Sequence, residues 1–163
     1  NISEPTLITS EKQTNGRGRV GKKWISNKGN LFMSLYFRFN KERIDFKQFS
    51  ILNAFLLRKV VSKITSKKIK IKWPNDLLLN EKKFCGLLQE VIKFNNFDYL
   101  IIGIGLNTNK VPQNKSFKST SLKNILNKKI DNKIILKNIV IAYEKFLEEK
   151  NKLSFFDLRR KYK

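Results

Sequence analysis

The sequence predicts an α+β fold: a mixed, mostly antiparallel central sheet with helices packed on it. Stretches in which apolar and polar residues alternate occur before and after one long amphipathic helix, and the last third of the chain has helical periodicity. The 163 residues are 40% hydrophobic and 12% aromatic, which suits one globular domain with its own core. We therefore expect residues 1–163 to form a single domain.

Alternation with a period of two identifies the strands. The clearest case is the second strand, in which Leu31, Met33 and Leu35 share one face. Pro74 ends the third strand, because proline has no backbone N–H to donate to a neighbouring strand. The six predicted strands are residues 5–10, 31–39, 69–73, 77–79, 84–92 and 99–106.

A spacing of three or four residues identifies the helices. Phe49, Leu52 and Leu56 begin the apolar stripe of the longest predicted helix. Ser119 to Ser121 precede a short apolar stretch and can cap a helix there. The predicted helices are residues 46–65, 122–126, 133–149 and 155–160.

Composition restricts the chemistry that this chain can perform. The absence of histidine excludes Ser-His-Asp and Cys-His nucleophile systems and histidine-ligated zinc. A single cysteine, Cys85, excludes an internal disulfide and a cysteine-rich metal site, so we expect a cytoplasmic location. The net charge of +22 leaves a nucleic-acid-binding module open, although the lysines are spread along the whole chain. The charge also favours an acidic protein partner.

Residues 16–24 hold three glycines, four cations and Trp24, with no acidic side chain. Glycine lets backbone N–H groups approach a ligand closely, and arginine matches carboxylate or phosphate oxygens. This composition favours capture of an anionic small molecule under a loop that orders on binding. A flexible surface loop in a lysine-rich protein could have the same composition. Residues 16–24 alone therefore do not distinguish a ligand-binding loop from a surface loop.

Three further motifs carry polar or glycine residues at strand ends. Asn75 and Asp76 follow the kink at Pro74 and can contact a ligand, or can simply bond the backbone of a turn. Lys83 can face an anion or be a solvated edge lysine. Gly103-Ile104-Gly105-Leu106-Asn107 places glycines in an apolar strand, which indicates close approach either by a ligand or by a packed helix.

Taken in order, these motifs resemble the catalytic domain of biotin protein ligases. They are Gly-Arg-Gly-Arg-x-Gly-x-x-Trp from residue 16, Lys-Trp-Pro-Asn-Asp from residue 72, Lys-x-x-Gly-Leu-Leu from residue 83 and Gly-x-Gly-x-Asn from residue 103. The resemblance extends from about Thr6 to Asn107 and, more loosely, through the C-terminal helices. It implies the fold that this family shares with class II aminoacyl-tRNA synthetases.

The resemblance implies a role for each matching residue. Lys83, Arg17 and Arg19 are expected to be catalytic, by neutralising charge at the reacting phosphate. The residues expected to bind biotin are Gln13, Gly16, Arg17, Gly18, Arg19, Lys83 and Gly86. The residues expected near the nucleotide are Trp24, Asn75, Asp76 and Asn107, with Asn75 the candidate for organising Mg²⁺.

The activity implied by the resemblance is an ATP-dependent ligation. Biotin is activated as biotinyl-5′-AMP and transferred to a lysine of the biotin carboxyl carrier protein of acetyl-CoA carboxylase. A lipoate or octanoate ligase or transferase of the same fold is the nearest alternative. We expect two parts of the family to lie outside residues 1–163: a Ser/Thr-Asn segment and a C-terminal β-barrel. We expect neither a DNA-binding domain nor membrane association. A homodimer is left open.

Overall fold

The computed structural model describes residues 4–113 and 117–163, and its central element is a six-stranded sheet. The α+β fold class predicted from the sequence is confirmed. The strands are β1 (Thr6–Ser10), β2 (Leu31–Arg38), β3 (Lys70–Lys72), β4 (Asp76–Leu79), β5 (Lys82–Phe94) and β6 (Phe97–Leu106). The helices are α1 (Phe46–Thr65), α2 (Leu122–Leu126), α3 (Asn132–Glu149) and α4 (Phe155–Tyr162).

The strands lie in the order β1-β2-β6-β5-β4-β3, and each neighbouring pair within the described residues is antiparallel. Both strands of the β5–β6 hairpin extend two residues further toward their turn than predicted, and β5 also begins two residues earlier. The two-residue turn of this hairpin, Asn95-Asn96, has φ values of 47° and 63°, which suit a type I′ turn and the twist of the flanking strands. Strand pairing therefore continues to Phe94 and Phe97, beyond the apolar residues that identify these strands in the sequence.

The helices bury one face of the sheet. Asp45 caps α1 in a capping box with Gln48, so α1 begins where the sequence predicts. Phe146 of α3 lies edge-on both to Phe49 of α1 and to Tyr162 of α4, with ring centroids 6.0 and 5.6 Å apart. These contacts join three helices to the sheet in one core. No helix in the described part of the chain is long and apolar enough to cross a membrane.

Side chains of the two central strands alternate between the two faces of the sheet, and the faces differ in how many side chains they carry. On β5 and β6 the core side carries Leu87, Ile102 and Ile104, all buried. The intervening positions include Gly86 and Gly105, which pair directly across the two strands. This leaves a groove without side chains in the middle of the sheet, on the face away from the helices.

Candidate active site

Residues 16–24, here called the cationic hairpin, form a small β-hairpin beside that groove. The backbone N–H of Trp24 donates to the carbonyl of Gly16 at 2.9 Å, and that of Gly18 donates to the carbonyl of Lys22 at 2.6 Å. The sequence predicted a loop that orders on binding. In the structure the two arms of the segment are hydrogen-bonded to each other, and ordering on binding stays a prediction.

The tip of the cationic hairpin is a tight turn with left-handed backbone. Val20 and Gly21 have φ values of 53° and 68°, and the N–H of Lys22 donates to the carbonyl of Arg19 at 3.2 Å. This geometry is that of a type I′ turn. A β-branched residue in the left-handed region is uncommon and strained, and Val20 is 92% exposed, so no packing compensates for the strain.

Both arginines of the cationic hairpin reach polar groups of the sheet. Arg17 Nη2 lies 2.9 Å from Glu90 Oε2 on β5, and Arg19 Nη1 donates to Asn75 Oδ1 at 3.4 Å. The Arg17 and Glu90 side chains are 65% and 39% exposed, so this ion pair contributes at most about 1 kcal/mol. Both arginines are therefore easily available to an incoming anion.

Asn75 itself is held firmly at the N-terminal end of β4. Its Nδ2 donates to the carbonyl of Leu87 at 2.9 Å, and its carbonyl accepts from the N–H of Leu87 at 2.8 Å. These bonds extend the pairing between β4 and β5 by one residue. The Asn75 Oδ1 atom is thereby aimed at the cationic hairpin, as a fixed acceptor.

Lys83 and Asp76 form a largely shielded ion pair next to the groove. Lys83 Nζ lies 2.7 Å from Asp76 Oδ1, and the two side chains are only 16% and 18% exposed. The ammonium does not approach that oxygen in a hydrogen-bonding direction, and Oδ1 has no hydrogen-bond donor in the described part of the chain. Asp76 therefore keeps the Lys83 ammonium beside the groove without forming a well-directed hydrogen bond to it.

Two aromatic rings flank the Lys83 ammonium. Its Nζ lies 5.2 Å from the ring centroid of Trp24 and 5.0 Å from that of Phe117. The backbone of Lys83 is fixed by bonds to the carbonyl of Lys118 and from the N–H of Thr120, both 2.9 Å long. Rings and backbone together set the position of this cation.

The indole of Trp24 lies directly on the glycine groove. A methyl group built on Gly86 would lie 2.6 Å from Cζ3 of the indole, and one built on Gly105 would lie 2.5 Å from Cζ2. Non-bonded carbon atoms do not approach this closely, so both positions require glycine in this conformation. The nucleotide role implied for Trp24 stays a prediction.

Gln13 and Gly16 lie together at the base of the cationic hairpin. The Ser26 hydroxyl donates to Gln13 Oε1 at 2.8 Å. A methyl group on Gly16 would lie 2.7 Å from the carbonyl oxygen of Trp24 and 2.9 Å from Gln13 Oε1. Gln13 is thus oriented toward the hairpin, and the biotin contacts implied for it and for Gly16 stay predictions.

Asn107 is the one predicted site residue that the structure does not bring to the groove. It is 1% exposed, its Oδ1 accepts from Asn30 Nδ2 at 3.4 Å, and its carbonyl accepts from the N–H of Leu122. It does not line either cavity beside the cationic hairpin. Here it joins the end of β6 to α2, and its nucleotide role stays a prediction.

Two cavities, of about 1000 and 790 Å³, adjoin the cationic hairpin. Lys72, Lys83 and Lys118 line the second cavity together with the cations of the hairpin, against three acidic side chains. The cavities are large enough for a ligand of nucleotide size, and the excess of positive charge favours an anion. No cluster of three histidine, cysteine or acidic side chains suited to a metal occurs in residues 4–113 and 117–163.

Three residues that lie in the site were not assigned to it from the sequence: Glu90, Gly105 and Phe117. Glu90 shares a strand face with Gly86, so alternation along β5 could have identified it. Gly105 was recognised as a point of close approach but was not assigned to the site. Phe117 follows a polar stretch after β6, and nothing in the sequence pattern places its ring at Lys83.

The comparisons with known proteins agree with this geometry. Residues 1–107 match the model of the biotin/lipoate A/B protein ligase family. The chain belongs to this family. Its members in the curated record include the bifunctional ligase/repressor BirA of Bacillus subtilis, which is 34% identical over 151 residues that cover 89% of this chain and 46% of that protein.

Two other proteins of the family extend the comparison. The biotin–[acetyl-CoA-carboxylase] ligase of Paracoccus denitrificans is 30% identical over 114 residues, which cover 68% of this chain and 48% of that protein. The chain thus spans about half the length of the curated relatives it matches. Biotin protein ligase from Aquifex aeolicus, solved with biotin and ATP, superposes with a TM-score of 0.84 at 32% identity, over 99% of this chain and 68% of that one.

Proposed function

We propose that this chain is the catalytic part of an ATP-dependent ligase that activates biotin as biotinyl-5′-AMP and transfers it to a lysine of a biotin carboxyl carrier protein. The observation that carries the proposal is the placement of the shielded Lys83 ammonium beside the Gly86–Gly105 groove. A glycine-lined groove that ends at a cation suits a ligand with a compact ring system and a carboxylate. The similarity to biotin protein ligases supports biotin as that ligand.

The first step brings two anions together, so charge and alignment dominate its barrier. The biotin carboxylate attacks the α-phosphorus of ATP, and the bond to the β-phosphate oxygen breaks to release pyrophosphate. Lys83 neutralises the carboxylate, and Arg17 and Arg19 neutralise the phosphate oxygens from the cationic hairpin. A carboxylate is already an ionised nucleophile, so the lack of histidine does not hinder this step.

Magnesium accompanies ATP in the proposed reaction and would neutralise phosphate charge as a Lewis acid. Asn75 Oδ1 and the Asp76 carboxylate are the oxygens that would hold it, and Asp76 Oδ1 is buried without a hydrogen-bond donor in the described chain. In the second step the amine of the carrier lysine attacks the acyl carbon and AMP leaves. A hairpin that covers the mixed anhydride protects it from water.

Incubation of the full-length protein with biotin, Mg-ATP and a biotin-carrier domain tests the proposal. The expected result is a carrier heavier by one biotinyl group, and no mass change when ATP is omitted. A parallel reaction with lipoate in place of biotin tests the alternative substrate class. Modification by lipoate alone, or tight salt-dependent binding of an oligonucleotide with no carrier modification, would contradict the proposal.

A further inference from the structure

Gln13 and Ser26 lie at the two ends of the cationic hairpin, and their side chains are bonded to each other. The Ser26 hydroxyl donates to Gln13 Oε1 at 2.8 Å, in a partly buried position. Gly16 leaves room for this bond, because a methyl group built there would lie 2.9 Å from Gln13 Oε1 and 3.1 Å from Ser26 Oγ. The bond thus occupies space that a larger residue at position 16 would take.

The two arms of the hairpin are joined by bonds that do not involve the Ser26 hydroxyl. The N–H of Trp24 donates to the carbonyl of Gly16 at 2.9 Å, and both atoms belong to the main chain. Removing the hydroxyl takes no atom from this bond. What the hydroxyl restrains is therefore the side-chain amide of Gln13.

The restrained amide faces the cavity of the proposed reaction. Gln13 lines the second cavity together with Lys83 and Gly86, whereas Ser26 lines neither cavity. Within residues 4–113 and 117–163, Gln13 Nε2 donates to no atom and is not among the buried polar atoms that lack a partner, so it is open to solvent. Its two N–H donors and the second lone pair of Oε1 are thus left for a ligand.

The orientation of this amide matters because the last torsion of a glutamine side chain is soft. The χ3 angle is broad and roughly twofold, so an unrestrained amide presents its oxygen or its nitrogen in many directions. A restrained amide has lost that freedom before a ligand arrives, and less entropy then opposes binding. The ureido group of biotin is also planar and carries N–H donors beside a carbonyl acceptor. A planar amide held in one orientation is matched to it.

We propose that Ser26 is a positioning residue for substrate recognition: its hydroxyl fixes the amide of Gln13, and the fixed amide binds the ureido edge of the biotin ring. The inference rests on the proposed function, in which Lys83 binds the carboxylate at the other end of the same molecule. Ser26 acts only through Gln13, so loss of its hydroxyl matters only while Gln13 is present.

Steady-state kinetics of adenylate formation by the full-length protein test this role. Ser26→Ala is expected to raise the KM for biotin about tenfold, as for the loss of one hydrogen bond, with kcat and the KM for ATP unchanged. Ser26→Thr keeps a hydroxyl on the same carbon and is expected to retain most of the wild-type affinity. Ser62→Ala, which removes a serine hydroxyl from α1, is the matched control.

A double-mutant cycle separates positioning from a merely structural role. In a Gln13→Ala background, Ser26→Ala is expected to cause no further rise in the KM for biotin. Desthiobiotin keeps the ureido ring and the carboxylate but lacks the thioether ring, so Ser26→Ala should weaken its binding by the same factor. Thermal unfolding shows that each variant is folded, and Ser26→Cys, a weak donor of similar size, gives the same comparison if the alanine variant is not.

Three results would each overturn the positioning role and leave the proposed function standing. They are additive effects of Ser26→Ala and Gln13→Ala, an equal rise in the KM for ATP, and weaker binding of biotin without weaker binding of desthiobiotin. Absence of biotin adenylation by the wild-type protein would overturn the proposed function together with this inference.

Discussion

Lys83 is the residue on which the proposed chemistry depends most. Lys83→Ala removes the shielded cation beside the groove and is expected to slow biotinyl-AMP formation about 100-fold, comparable with the loss of one oxyanion-hole donor. Pyrophosphate release measures this step. Lys82→Ala is the matched control, because Lys82 is the exposed neighbour on the same strand. Adenylate formation at the normal rate by a folded Lys83→Ala protein would contradict the assignment.

Two glycines on one strand give a sharper test of the groove. A methyl group at Gly105 would meet the Trp24 indole, whereas one at Gly103 would meet only Leu88, at 3.5 Å or more. Gly105→Ala is therefore expected to displace the indole and to weaken biotin binding at least about tenfold. Gly103→Ala is expected to keep the melting temperature of the wild type. Calorimetric titration and thermal unfolding measure the two effects.

At the scale of elements, α3 and α4 are joined by a carboxylate. Glu149 accepts from Lys161 Nζ at 2.7 Å and from the Tyr162 hydroxyl at 3.0 Å. Partial desolvation raises the pKa of Glu149, but these hydrogen bonds outweigh it and the pKa lies below its usual value of 4.5. The carboxylate form is therefore stabilised by folding.

This pairing predicts a pH dependence of stability. Because the folded-state pKa of Glu149 is lower than the unfolded one, its contribution is complete well above pH 4.5 and is lost as the pH falls through the folded-state pKa. Glu149→Gln is expected to lower the free energy of unfolding by about 1 kcal/mol at pH 7 and much less at pH 3. Urea unfolding at both values measures this, with exposed Glu148→Gln as the control. An equal loss at both pH values would contradict the interpretation.

For the whole molecule, the net charge of +22 is expected to affect the rate at which a protein partner associates. An acidic carrier protein should associate faster at low ionic strength, because electrostatic steering is screened by salt. Raising NaCl from about 0.05 to about 0.5 M is expected to slow carrier association about tenfold. Biotin association should change much less, because biotin carries a single charge. Carrier kinetics that are independent of salt would show that the charge has no part in docking.

The fold was predictable from the sequence wherever local periodicity and caps agree. Helix α1 begins and ends at the predicted residues because Asp45 caps it and its apolar stripe is continuous. β3 is shorter than the predicted strand, covering only residues 70–72, because pairing with β4 ends at Asp76. Strand order could not be predicted, since it depends on contacts between distant segments.

The candidate site was predictable as a set of residues but not as an arrangement. The motifs identified Arg17, Asn75, Asp76 and Lys83, which the structure brings to one groove. The sequence could not show that the Trp24 indole lies on Gly86, because side-chain direction across a hairpin depends on tertiary packing. Nor could it show that Asn107 is buried, since an asparagine after a strand serves equally as a ligand or as a structural link.

The hydrogen-bonded turn of the cationic hairpin has a thermodynamic consequence for ligand binding. Ordering a disordered segment opposes binding by roughly 1–2 kcal/mol per residue and adds a large negative heat-capacity change. The bond from the N–H of Gly18 to the carbonyl of Lys22 is one that such ordering would form. Because the sequence predicts that this segment orders over its ligand, calorimetry over a range of temperatures is expected to give a heat-capacity change for biotin that is more negative than burial of its ring system alone would produce.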